Sequence, residues 1–145
     1  MLEMMKELIR SQEICVLATA SGDRPHCSLM AYATDDACRE IYMVTHRNTT
    51  KLRNALQNPW VSLLVDSRLQ DYGEDRQRTR ALSIDGLFER VEDPERRETL
   101  RARFLERHPH LREFASHQQA EVCIVRIRSL QLLDGIKNAY HETIS

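Results

Sequence analysis

The sequence predicts a mainly β domain with peripheral helices, in which six antiparallel strands close into a small barrel. Three observations carry that reading. Short apolar or β-branched runs recur between turn signals along most of the chain. Only two helical patterns interrupt the strand series, one after the third strand and one before the sixth, which is not the β-α-β alternation of a parallel sheet. Gly86 stands inside the longest run, where it marks a bulge or sharp bend, and a curved strand set avoids open edges by closing on itself. A chain of 145 residues suits one domain, 1–145, that buries a continuous core without metal or disulfides.

Leu2, Met5, Leu8 and Ile9 fall on one face of an amphipathic helix over residues 1–11. Residues 14–20 read as a buried strand, and Ser21-Gly22-Asp23-Arg24 turns it into a second strand from His26 to about Thr34. Asp35-Asp36 turns again into the third strand, residues 41–45. Asn48 or Thr49 then caps a short helix carrying Leu52 and Leu56, which stops at Asn58-Pro59. Residues 60–65 form the fourth strand, followed by an exposed polar excursion over 66–77. Residues 80–91 form a fifth, long and curved strand. Asp93-Pro94 is an N-cap followed by proline at the first helical position, and Leu100 with Phe104 gives that helix an apolar pair. His108-Pro109 ends it, Leu111 and Phe114 predict one more helical turn, and residues 122–127 are the last strand.

Composition excludes several functions. A formal net charge of −1, with acidic and basic residues interleaved as in Glu95-Arg96-Arg97-Glu98, argues against a nucleic-acid binder. The amphipathic first ten residues contain no apolar run long enough for a leader or a membrane span, so a soluble, cytoplasmic protein is expected. Cys15, Cys27, Cys38 and Cys123 form no C-x-x-C pair, and neither a zinc knuckle nor a dithiol site is indicated; three of the four are expected to be core residues.

The chemistry-bearing stretch is the junction of the third strand with the short helix. The first amides of a helix lack partners and carry partial positive charge, and Thr49, Thr50 and Lys51 add hydroxyl and ammonium donors in the same turn. This is a phosphate site in outline. Most helices with a Thr cap and a nearby Lys bind nothing, so the pattern needs support from elsewhere in the chain.

That support comes from the order of four motifs: Val16-Leu-Ala-Thr-Ala with Gly22 and Pro25-His26; Tyr42-Met-Val-Thr45 with Lys51 six residues on; Asn58-Pro59-Trp60-Val-Ser-Leu-Leu64; and Arg80-Ala-Leu-Ser-Ile-Asp-Gly86-Leu-Phe-Glu-Arg-Val. In this order and spacing the chain resembles the FMN-binding split barrels of the pyridoxamine 5'-phosphate oxidase type. The resemblance implies a six-stranded antiparallel split β-barrel and a homodimer holding FMN in a groove between subunits. Position by position, it places Lys51 on the FMN phosphate with Thr50 and Thr45 beside it, and lays Ser28, Leu29, Met30 and Ala31 along the ribityl chain and isoalloxazine. It departs from the oxidases at Ser28, where they carry a phosphate-binding Arg, at Ala33, in place of a substrate-side Lys, and at Ala81, in place of a flavin-contacting Gln. The segment after Leu133 is too short for their pyridoxal-binding Arg and His, so vitamin B6 oxidation is not expected.

The expectation that follows is an FMN-dependent oxidoreductase of unassigned substrate, with an electron donor such as a nicotinamide nucleotide and no nameable catalytic residue. Two other classes compete with it. One is a split barrel binding haem or a deazaflavin, with His26 and His46 flanking the groove, His108 and His110 at a helix end, and His117 and His141 without partners. The other is a barrel that serves as an interaction module without a cofactor.

Overall fold

The computed structural model describes residues 1–68, 78–135 and 138–145, and most of the expected polar excursion lies outside the described residues, at 69–77. The elements run α1 (Leu2–Ser11), β1 (Ile14–Ser21), β2 (Arg24–Ala31), β3 (Ala33–Thr34), β4 (Glu40–His46), α2 (Thr50–Gln57), β5 (Trp60–Asp66), β6 (Arg80–Arg90), α3 (Pro94–Arg107), a single 3-10 turn (Pro109–Leu111), α4 (Arg112–Ser116), β7 (Ala120–Asp134) and β8 (Asn138–Thr143). All pairings are antiparallel. The strand order is β2-β1-β5-β6-β7-β4-β3, with β8 on the distal half of β7. The sheet curls into a half-barrel, the architecture expected of a split barrel.

The described strands number eight rather than the expected six, for two physical reasons. The predicted second strand is broken at Tyr32, because β2 pairs with β1 whereas β3 pairs with β4, so the chain changes neighbours there. The extra strand β8 has no apolar alternation to reveal it, since its residues are exposed on both faces, apart from half-covered Glu142.

Tyr32 is fully buried and joins the two ends of the strand order. Its amide donates to the Glu13 carbonyl (3.1 Å), its hydroxyl donates to the Ile9 carbonyl (2.6 Å), and its carbonyl accepts from His108 Nε2 (2.7 Å). Arg107, at the end of α3, donates to the Arg10 carbonyl (2.6 Å) and to that of Gln12.

Two apolar cores result. The barrel interior holds Leu17, Ile41, Met43, Leu63, Leu82, Ile84, Cys123 and Val125, and is completed by Met5, Leu8 and Ile9 of α1 and Leu52 and Ala55 of α2. On the opposite side of β4 and β7, Tyr42, Val44, Val122 and Ile124 are covered by Leu100 and Phe104 of α3 and Ala115 of α4. The double-sided apolar pattern of β7 is therefore satisfied within the chain and does not itself call for a second copy. Ala33 also lies in this second core, facing α3. Of the three cysteines in expected strands, Cys15 and Cys123 are buried but Cys27, on the outer side of β2, is exposed, while Cys38 in the turn before β4 is buried instead; burial pushes the Cys15 thiol up to about 12.

Gly86 is the bend expected from the sequence. Between Asp85 and Gly86 the β6/β7 register shifts, from Asp85 opposite Ser129 to Gly86 opposite Ile127, so Arg128 is the extra residue on β7. A Cβ at position 86 would lie 2.5 Å from the Arg126 carbonyl oxygen and 2.7 Å from Val125 Cγ1. Gly86→Ala is expected to destabilise the fold by about 2–3 kcal/mol, because backbone must move. Gly22→Ala, at φ +59 with nothing within 4 Å of its Cβ, is expected to cost about 1 kcal/mol from the left-handed backbone alone. Urea denaturation midpoints of the two variants should rank in that order.

Candidate functional site

The turn after β4 is built by Asn48 and Thr49. Asn48 takes the left-handed conformation at φ 64, which asparagine tolerates better than most residues. Thr49 is the N-cap. Its hydroxyl accepts from the Leu52 amide (3.4 Å) and donates to the His46 carbonyl (3.1 Å), closing the turn from both sides. Of the two caps the sequence allowed, Thr49 is the one used. Thr45 is buried at the end of β4, its Oγ1 3.5 Å from that of Thr49.

The amides of Thr50 and Lys51, at the first two positions of α2, have no partner among the described residues. The Lys51 ammonium is half-buried and makes no ion pair among them either. Arg53 is a second cation that the sequence reading passed over: its Nη1 donates to the Asn48 carbonyl (3.0 Å) and its Nη2 to Thr50 Oγ1 (3.4 Å), which folds the guanidinium back over the turn. Its place in the same first turn as Lys51 was the available signal. Arg47 differs, because Glu121 neutralises it at 2.6 Å.

The second half of α2 is fixed to β1. Asn54 Nδ2 donates to Thr19 Oγ1 (3.2 Å), and Ser21 Oγ donates to Gln57 Oε1 (2.9 Å). One helical turn back from Asn54, and two strand residues back from Thr19, this parallel alignment carries Lys51 to the level of Leu17, whose cross-strand partner is Ser28. Lys51 thus stands at the level of Ser28, and Thr45 reaches the same helix start through Thr49. The other β2 candidates divide. Met30 faces the barrel interior and is buried, whereas Leu29 and Ala31 lie on the outer face, Leu29 with 70% of its surface exposed. β2 terminates the strand order, so its free side offers unpaired backbone groups to a ligand.

Two histidines lie elsewhere than expected. The ring of His46 does not flank the groove; it stacks on Phe114 (centroids 4.2 Å apart) and its Nε2 sits 2.9 Å from the Phe114 carbonyl. His117 does have partners: it stacks on His46 at 5.1 Å, and its Nδ1 accepts from the Gln119 amide. Sequence spacing did not reveal this because the residues meet only once α4 packs beside the end of β4. No group of three or more potential metal ligands occurs among the described residues.

Beyond α3 and α4, the outer face of the sheet leaves Ile14 and Leu29 exposed among the described residues. A cavity of about 310 Å³ opens there against Ile14, Val16, Leu29 and Leu64, bordered also by Asp66 and Arg68. Burial would raise the Asp66 carboxyl, but a two-pronged contact from Arg68 (2.9 and 2.7 Å) outweighs it and holds the group below the usual carboxylate range.

A family model described as pyridoxamine 5'-phosphate oxidase matches residues 1–132. The chain belongs to the pyridoxamine 5'-phosphate oxidase family. No curated protein matches the sequence at a significant level. Solved structures similar to this family member include a haem-binding protein from Mycobacterium smegmatis (TM-score 0.83, 17% identity, 96% of this chain and 56% of that one). An FAD-binding protein from Mesorhizobium loti (TM-score 0.75, 17% identity, 91% and 93%) and the haem storage protein of Vibrio cholerae (TM-score 0.74, 20% identity, 92% and 93%) also match. The chain spans just over half of the mycobacterial protein, and at these identities the likeness shows the fold alone.

Thr49→Ala removes the hydroxyl that closes both sides of the turn, and is expected to lower stability by about 1 kcal/mol in thermal or urea unfolding.

Proposed function

We propose that this family member is an FMN-binding flavoprotein, with the flavin phosphate at the N-terminus of α2 and the ring system along β2, between two copies of the chain. The observation that carries the reading is the start of α2 at the level of Ser28, where Lys51 has no ion pair and the amides of Thr50 and Lys51 have no partner among the described residues. A phosphate dianion fits such a donor set: it accepts several charge-assisted hydrogen bonds at once and faces the positive end of the helix. Lys51, Thr50 and the two amides would hold the phosphate, with Arg53 adding positive charge and Thr45 closing the corner through Thr49. Ser28, Leu29, Met30 and Ala31 would line the ring and ribityl chain, mainly through backbone groups of the free β2 edge. When bound, the flavin supplies hydride or electron transfer, and this chain supplies binding, orientation and exclusion of water. The reading is therefore an oxidoreductase fed by a small-molecule donor such as a nicotinamide nucleotide.

Dimerisation is part of the reading, and its support is the apolar outer face at β1, β2 and β5. Leu29 and Ile14 are exposed there against the cavity that Val16 and Leu64 also line. Light scattering at micromolar concentration should give twice the 17.0 kDa chain mass; a monomer mass would contradict it.

Lys51→Ala is expected to weaken FMN binding about tenfold or more, read by quenching of flavin fluorescence, while stability changes by less than about 0.5 kcal/mol. Equal affinity of variant and parent would move the phosphate to another place. A haem reading is favoured by the haem-binding and haem storage proteins among the similar structures and by the exposed His26 on β2. The absorption spectrum of the purified protein separates the two, since oxidised flavin gives twin blue bands and haem a Soret band.

A further inference from the structure

The outer face does not end at Val16 and Leu64. Two residues along the same two strands Ala18 pairs with Ser62, and the register line continues through Asp85, Ser129 and Thr143 on the next three strands. These short side chains floor a groove of about 570 Å³, in which Trp60 stands with 57% of its surface exposed.

Two charged groups border the groove without a counter-ion. Arg128, turned outward by the bulge opposite Gly86, makes no ion pair among the described residues. Asp85 makes none either: its Oδ1 accepts a 2.5 Å hydrogen bond from Ser62 Oγ, and its Oδ2 has no hydrogen-bond donor among the described residues.

A second copy seated over Val16 and Leu64 reaches these groups. A stable interface covers about 800 Å² per partner, a disc roughly 16 Å in radius. Ala18 and Ser62 lie only about 7 Å further along their strands, and each strand towards Asp85 and Arg128 adds about 5 Å. Covering a guanidinium and a carboxylate strips both of water, which disfavours the complex unless each meets an opposite charge.

We propose that Arg128 of each copy pairs with the partner's Asp85 across a twofold axis, and that each Trp60 lies over the short side chains of the facing groove. A twofold interface brings one patch against itself, so every group must find its complement within that patch. This patch holds one cation and one anion that do not pair in the chain, and one protruding ring beside a hollow of its own. The flat fork of Arg128 suits a carboxylate that Ser62 already orients. The pairing rests on the dimerisation proposed with the flavin and adds the element by which two copies recognise each other.

The test is the mass of the full chain by light scattering over a dilution series. The parent is expected to be a dimer at micromolar concentration, whereas Arg128→Glu and Asp85→Arg each set like charges across the axis and weaken association at least about a hundredfold. Mixed in equal amounts, the two variants are expected to recover twice the chain mass, one pair across the axis being the parental one and the other the same pair reversed. Mixing cannot repair a pair made within one chain. Should Asp85→Arg fold poorly, Arg128→Gln and Asp85→Asn keep the side-chain sizes; each is expected to weaken the dimer about tenfold, and the double variant no more than either alone. Parental dimers in the folded single variants, a mixture that stays monomeric, or losses that multiply in the double variant would overturn the pairing while leaving the dimer in place. A monomeric parent would overturn both.

Discussion

The fold depends on a set of hydrogen bonds around one buried residue, Tyr32. The first and last strands of the sheet order, β2 and β3, are neighbours in the chain with Tyr32 between them. The sheet is thereby brought round on itself by a covalent link, without a ladder between β2 and β4. A buried residue at such a break would leave amide, carbonyl and phenol unsatisfied, and each orphan would cost about 1–3 kcal/mol. Glu13, Ile9 and His108 satisfy all three, drawing in the end of α1, the residue before β1 and the end of α3. Because a carbonyl can only accept, His108 must carry its proton on Nε2. Burial also raises the phenol well above its ordinary range, so Tyr32 remains a donor at any physiological pH. The split in the barrel is thus enforced, and the free edge of β2 follows from it.

What could be read from the sequence follows the physical reach of each signal. Local signals sufficed for the Asp93-Pro94 start of α3, the Asn58-Pro59 stop of α2, a cap at Asn48 or Thr49 and the bend at Gly86, since each depends on the backbone preferences of a few adjacent residues. Barrel-facing strands announced themselves through apolar runs. β8 did not, because it is held by backbone bonds to β7 while its side chains face water. The double-sided burial of β4 and β7 was visible as a pattern, but the sequence could not say whether helices of the same chain or a second copy covered the far side. His46 was misplaced for the same reason: which face of a strand α3 and α4 occupy is a tertiary fact.

At the candidate site the legible part was the helix start, and the illegible part was its neighbour. Thr49, Thr50 and Lys51 stand next to one another in the chain, so their shared corner could be inferred. Ser28 lies more than twenty residues away and comes to their level through two side-chain contacts, Asn54 with Thr19 and Ser21 with Gln57. Those contacts set the direction of α2 along β1, and a helix lying across the strands would have separated Lys51 from Ser28. The corner has few cations, and their pairing decides their use. Arg47 is held by Glu121, whose side chain is 6% exposed, whereas Lys51 and Arg53 have no acidic partner among the described residues.

The bulge at Gly86 couples the core to the outer face. β7 is long enough to serve β4 with its first half and β8 with its second, while β6 runs along both. With strict alternation, the phase that buries Cys123, Val125 and Ile127 would turn Leu130 and Leu132 to the outside. The extra residue at Arg128 resets the phase, so both leucines return to the barrel interior, and it leaves Arg128 and Ser129 side by side on the uncovered face. The close approach of Gly86 to the Arg126 carbonyl is the geometric condition for that reset. The outward position of Arg128 and the leucines in the distal core are therefore products of one irregularity, and a change at Gly86 that straightened β7 would lose both together.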